Sequence, residues 1–165
     1  MKKTLLTLLL ALLIMPAVGI SLVSCSDDET SESVLPQISK KEARAELKKR
    51  GIKKKQYDDA LFTAAFKGDC DLVQLLIIAG ADVNKRHVLS SEDYSTSYTP
   101  LSIAVCSGSL SPSVKLLVVK NLLAAPDINP NIQVDMGDDV TYLLDFAEKQ
   151  GMMEIAELLR AAGAN

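Results

Sequence analysis

The chain reads as an all-α protein: a solenoid of about three helix–turn–helix units behind an N-terminal capping helix. Three observations lead there. A run of small and apolar residues ending in glycine, Asp59-Ala60-Leu61-Phe62-Thr63-Ala64-Ala65-Phe66-Lys67-Gly68, returns as Thr99-Pro100-Leu101-Ser102-Ile103-Ala104-Val105-Cys106-Ser107-Gly108 and again as Tyr142-Leu143-Leu144-Asp145-Phe146-Ala147-Glu148-Lys149-Gln150-Gly151. Each copy is followed by a second apolar run at helical spacing: Leu72 to Ala79, Val114 to Ala125, and Glu154 to Ala162. Aromatic residues make up only 4 % of the chain and there is no tryptophan, so the core has to be built from Leu, Ile, Val and Ala.

The first segment, residues 1–24, is a targeting sequence and not part of the fold. Lys2 and Lys3 precede an almost wholly apolar Leu5–Ile14, which Pro16 and Gly19 interrupt before Leu22-Val23-Ser24-Cys25. Charge holds the start on the cytoplasmic side while the apolar core partitions into the bilayer. An uncleaved anchor is the competing reading, since residues 4–24 could just span ~30 Å of hydrocarbon; the two helix breakers and the cysteine argue against it. Leu22-Val23-Ser24-Cys25 resembles the lipobox of bacterial lipoproteins, and that resemblance implies cleavage before Cys25 and lipidation of Cys25. Several acyl chains on one residue give stable anchoring, at ~0.8 kcal/mol per buried methylene. The expected location is the bacterial cell envelope, anchored in the outer membrane. Ser26-Asp27-Asp28-Glu29 is similar to signals that carry lipoproteins to the outer face of that membrane, and it reads equally as the solvated start of a tether.

Residues 25–38 form a lipid-anchored linker, rich in Ser, Asp and Glu, with Pro36 and no apolar periodicity. Residues 39–56 form the capping helix. Ser39 and Glu42 fit a capping box, Ala43 and Leu47 supply an apolar side, and Gly51 is a stop. Between Lys40 and Lys55 lie nine basic and two acidic residues. Such a run could touch phosphates or lipid headgroups, and it also suits the polar outer face of an end unit. Without residues 1–24 the chain carries 16 basic against 21 acidic side chains, a formal charge of −5, which argues against nucleic acid as a partner.

Residues 57–165 hold the repeats, at 57–84, 98–129 and 141–165. In each, a short helix with small residues allows close packing, a glycine permits the turn, and a longer helix supplies Leu and Ile. One unit alone has no partner for its apolar face, so three and a cap are near the minimum that folds. Gly68 to Asn84, Thr99-Pro100-Leu101 and Gly151 to Asn165 resemble the ankyrin-repeat family most closely. The resemblance implies stacked helix pairs that bind another protein. Asp59-Ala60 and Tyr142-Leu143 stand where that family prefers Thr-Pro. The spacing between Gly68, Gly108 and Gly151 is 40 and then 43 residues, against a family period of ~33. One surplus residue falls between Gly108 and Val114, and the rest falls in two long inter-repeat loops, 85–97 and 130–140.

Insertions in a repeat array lie on one face, often the binding face. The candidate partner-binding residues are therefore Arg86, His87, Tyr94 and Tyr98 around the first insertion, and Asn131 and Asp135 in the second. Tyrosine offers wide contact with a polar tip, which suits interfaces, and it also packs under loops. Asp127, Asn129, Asn131, Asp135 and Asp138 fall at positions 1, 3, 5, 9 and 12 of a calcium-loop register, but Ile132 replaces the glycine at position 6, and position 12 is Asp rather than Glu. No metal site or cofactor is therefore expected. His87 is the sole histidine, so one chain cannot form a two-histidine metal site. A Cys106–His87 dyad is conceivable on paper, yet Cys106-Ser107-Gly108 coincides with an expected helix-end turn, and the protein reads as a non-enzyme. With Cys25 lipidated, Cys70 and Cys106 remain either as a bridge or as two thiols.

The functional expectation is a monomeric, lipid-anchored envelope protein that binds another protein through its concave face and extended loops. An inhibitor or immunity-type protein that occludes an enzyme or toxin is the alternative. It differs in requiring one tight stoichiometric partner whose activity is suppressed.

Overall fold

The computed structural model describes residues 37–90, 95–135 and 140–165. The expected targeting segment, Cys25, nearly all of the expected linker, Tyr94 and Asp138 lie outside the described residues. Among the described residues, seven α-helices form two layers. Helices α2 (Tyr57–Lys67), α4 (Pro100–Cys106) and α6 (Leu143–Lys149) stack side by side in one layer. Helices α1 (Lys40–Lys49), α3 (Cys70–Ala79), α5 (Pro112–Leu123) and α7 (Met153–Ala161) form the other. The pairs α2–α3, α4–α5 and α6–α7 join the layers, and α1 closes the exposed flank of α3.

Local chemistry sets the helix ends. Ser39 and Glu42 form the expected capping box: Ser39 Oγ accepts from the Glu42 amide (3.2 Å), and Glu42 accepts from the Ser39 amide (2.8 Å). Ala43 and Leu47 of α1 are fully buried, and Arg44 Nε donates to the Ala79 carbonyl at the end of α3 (3.0 Å). That bond satisfies an acceptor no helix can satisfy internally. Thr99 caps α4, accepting from the Ser102 amide (3.2 Å), with Pro100 in the first helical position where its missing N–H costs nothing.

The turns inside the repeats are not equivalent. Gly68 has a left-handed φ of 79°, and a Cβ built there would lie 2.6 Å from Val114 Cγ1. Gly108 has no positive φ and open space around it, while Ser107 ends α4 in an extended conformation. In this repeat Lys115 reaches back from α5 and donates to the Val105 carbonyl (2.7 Å), so a lysine completes the helix end. Gly68→Ala is therefore expected to cost about 1–3 kcal/mol from strain and overlap, and Gly108→Ala to stay within about 0.5 kcal/mol. Thermal denaturation of the two variants checks this; equal effects would mean the turns are equivalent after all.

The core is aliphatic, as composition demands. Leu61, Leu75, Leu76, Leu101, Leu122, Leu143 and Leu159 are fully buried. One polar pair crosses it: Gln74 of α3 donates to Asn121 Oδ1 of α5 (3.1 Å). Cys106 is a free thiol, so no bridge joins it to Cys70; Cys70 is itself disulfide-bonded, so the two are not a pair of free thiols either.

The two insertions differ from the expected open loops. His87–Ser90 (β1) pairs antiparallel with Ser95–Tyr98 (β2), and Gln133–Asp135 (β3) with Val140–Tyr142 (β4). The chain is thus mostly helical rather than purely so. Tyr142, read as the opening of the third helical unit, is the last residue of β4 and the cap position of α6. The second insertion alternates polar and apolar residues (Gln133-Val134-Asp135), the first does not (His87-Val88-Leu89-Ser90), and pairing turns one side of each hairpin towards the helices. Val134 is fully buried and Thr96 nearly so, with Thr141 half-buried.

Candidate functional site

The inward side of each hairpin faces the repeats, which leaves the opposite side to solvent. In the first hairpin Val88 lies opposite Ser97; in the second, Tyr142 lies opposite Gln133 and Val140 opposite Asp135. Strand β2 runs beside β3, so the two outward faces are neighbours. Arg86 links them, its Nη1 donating to Ser97 Oγ (2.7 Å) and its Nη2 to the Gln133 carbonyl (3.4 Å). Val88 is 65 % exposed, Val140 64 % and Tyr142 44 %. Val88, Val140 and Tyr142 thus stand in solvent on the outward faces, among Arg86, Gln133 and Asp135, and Leu89, opposite Thr96 on the other face, is also 45 % exposed. Single exposed apolar residues are ordinary, but a group on one ordered surface marks an interaction site.

Side-chain bonds hold the bases of the hairpins in place. Asn84 donates to the Asp127 carbonyl (2.6 Å) and accepts from the Asn129 amide (2.9 Å). Asn131 repeats the device one unit on, donating to the Gly163 carbonyl (3.3 Å) and accepting from the Asn165 amide (3.0 Å). Asn131 therefore spends its side chain tying adjacent units together. Lys85 pairs with Asp58 and Asp59 at 3.4 and 3.3 Å, fixing the start of the first hairpin to α2.

His87 opens β1, and its side chain lies on the inward side of the hairpin rather than on the exposed face. Its ring stacks on Phe62 at 4.4 Å between centroids, and only 14 % of its side chain is exposed. Nδ1 lies 3.7 Å from Asp59 Oδ1, and Nε2 is buried without a hydrogen-bond partner. Burial holds the imidazole below its ordinary value of 6.5, and the Asp59 carboxylate offsets part of that. A base with its folded-state value below the unfolded one costs no stability above pH 6.5 and costs increasingly as pH falls beneath it. The single histidine resonance is expected to titrate with a midpoint below 6.5. His87→Phe is expected to flatten the fall in stability just under that pH; a midpoint above 6.5 would place the ring with Asp59 instead of with Phe62.

Tyr98 is half-buried against the core, in the strand position opposite His87. Asp135 is exposed on the outward face, as is Arg86. Among the six sequence candidates, Arg86 and Asp135 thus meet on one surface, His87 and Tyr98 lie on the inward side of the first hairpin, and Asn131 joins repeat tips. Val88, Val140 and Tyr142 were missed, because they stand out only once each strand has a partner and a face.

The alternative chemistries find little footing. Burial pushes the Cys106 thiol up to about 11, despite nearby Lys115, so it is a poor nucleophile near neutrality. Positions 7 to 9 of the calcium-loop register form β3, and an extended strand sends successive side chains to opposite faces rather than round one point. Asn129 Oδ1 is already bonded to the Asn131 amide (3.0 Å).

Residues 61–165 match the family model for ankyrin repeats, in three copies. The chain belongs to the ankyrin-repeat family. A search of curated proteins finds no match. Ankyrin repeats are generally non-catalytic modules that bind other proteins, which accords with the exposed hairpin face and the unactivated Cys106. In this ankyrin domain the lengthened inter-repeat segments form the two hairpins, so the departure from the family period and the candidate surface are the same feature.

Proposed function

We propose that the protein is a lipid-anchored component of a bacterial cell envelope that holds a partner protein on the outward face of its two hairpins. The observation that supports this most is the grouping of Val88, Val140 and Tyr142 in solvent on neighbouring hairpins, with Arg86 and Asp135 beside them. An apolar centre with charged residues around it is the composition of an interface. His87 and Tyr98 act as the support beneath that face, and Asn131 sets the position of the second hairpin. The anchor reading rests on Lys2, Lys3, the apolar Leu5–Ile14 and Leu22-Val23-Ser24-Cys25.

Two experiments test the two halves. Tagged full-length protein, solubilised with its native envelope, should retain one stoichiometric protein, and a version with the first hairpin shortened should lose it. Retention by both versions would remove the hairpin from the interface. If the captured protein is an enzyme or toxin, an assay of its activity with and without the ankyrin chain separates a scaffold from an inhibitor. For the anchor, the intact mass should correspond to cleavage before Cys25 with acyl chains added, and Cys25→Ser should abolish both. A mass without lipid would leave Cys25 available for disulfide bonding and overturn the anchor.

A further inference from the structure

The charges of the chain are segregated by position along the solenoid. Residues 40–55 carry nine basic and two acidic side chains, while residues 56–165 carry seven basic and fifteen acidic. The repeats are therefore acidic and the cap strongly basic. Within the cap, Glu46 is shared by Lys49 and Arg50, and Glu42 serves the helix start. No carboxylate pairs with Lys41, Lys48, Lys53, Lys54 or Lys55 among the described residues, and all five are exposed. Arg44, Lys48, Lys53 and Lys54 surround a cleft of about 510 Å³, closed at its base by Ile52 and Tyr57, where the chain turns from α1 into α2. A helix made soluble by charge alone could carry both signs in balance; this one gathers cations round a hollow with no acidic group in its lining.

We infer that this basic cap docks on the anionic phosphates of a lipid headgroup surface and stands the solenoid on the membrane by its first end. Charge complementarity is one argument: each lysine or arginine close to an anionic bilayer contributes about 1 kcal/mol, within roughly a Debye length of ~8 Å. The acidic repeats are repelled by the same surface, so the polarity also sets direction. The other argument is reach, and it rests on the lipid-anchor reading. Thirteen residues separate Cys25 from Ser39, and at ~3.6 Å each they cannot place the cap more than about 47 Å from the bilayer. The cap is the first helix after the tether. Docking there leaves the hairpins, which belong to the later repeats, free to meet a partner.

The test uses full-length protein with vesicles of phosphatidylcholine alone or mixed with phosphatidylglycerol. Flotation is measured first, then labelling of lysines by an impermeant amine reagent, read by mass spectrometry, with exposed Lys67 and Lys149 as internal references. The inference expects flotation with both vesicles, and labelling of Lys48, Lys53 and Lys54 slowed about fivefold on the anionic ones only. High salt should abolish that protection, and the variant K48E/K53E/K54E should abolish the matching protection of the remaining exposed cap lysines, Lys41 and Lys55. Flotation with anionic vesicles alone, lost in salt, would uphold the cap and reject the anchor. Flotation with both vesicles but equal labelling would uphold the anchor and overturn the cap. Protection that is the same in both lipids and in lipid-free solution would assign the cleft to the acidic residues of the chain's own linker, which overturns the inference as well. No flotation in either case would reject both.

Discussion

Substituting Tyr142→Ala together with Val140→Asp is expected to weaken partner binding by about 30-fold or more while leaving the thermal midpoint nearly unchanged. Interface energy concentrates in a few large side chains, with truncation of a central tyrosine commonly costing ~2 kcal/mol, or about 30-fold. A carboxylate at position 140 adds an unpaired charge that the bound state would have to desolvate. Both residues are exposed at the ends of a paired strand, so truncation there should alter stability by no more than about 0.5 kcal/mol, and the carboxylate at position 140, directly opposite Asp135, should add a repulsion of about 0.2–1 kcal/mol. Met153→Ala is the matched control, because Met153 is just as apolar and 57 % exposed but lies at the start of α7. Binding measured on both variants should fall only for the hairpin pair. Equal loss from Met153→Ala would mean that general apolar exposure, and not this face, carries the interaction.

The largest stability effect is expected from Leu101→Ala. Leu101 is fully buried on α4, the middle helix of its layer, with α2 on one flank, α6 on the other and α5 behind. Removing a buried leucine side chain costs about 2–5 kcal/mol, partly from lost transfer energy and partly from the cavity left behind. Whole domains are stable by only about 5–15 kcal/mol, so the thermal midpoint should drop by about 10 °C or more. Because repeats are held by nearest neighbours, damage in the central unit also uncouples the flanking ones. Urea denaturation should then broaden as well as shift. Leu159→Ala makes a similar cavity at the far end of the stack, where only one neighbour is affected. A shift as sharp as that of the wild-type chain in both variants would contradict the nearest-neighbour account.

The helical framework was legible because its signals are local. Ser39 and Glu42, Thr99-Pro100-Leu101, and Gly68 each solve a backbone problem within a few residues, and the structure shows each solution where the sequence places it. Gly108 was misleading for the same reason: its position in the repeat is right, but Lys115, ten residues beyond Val105, provides the helix end by another route. The hairpins were harder. Strands of three and four residues give too short an alternation to separate from a polar loop, and Tyr142 falls next to a helix whose pattern absorbs it. The candidate surface depends on strand register and on β2 lying beside β3, which are long-range facts. Asn84 and Asn131 illustrate the limit from the other side. Each looks like an exposed loop asparagine, and each bonds the backbone of the following unit more than 30 residues away.

Site-specific photo-crosslinking in intact cells shows whether a partner sits on the hairpin face. A photoreactive residue would replace Val88, Tyr142 or, as the reference, the exposed Glu157 on α7. A single adduct of the same protein is expected from positions 88 and 142 and none from 157. Adducts from 157 alone, or equally from all three positions, would contradict a partner seated on the hairpin face.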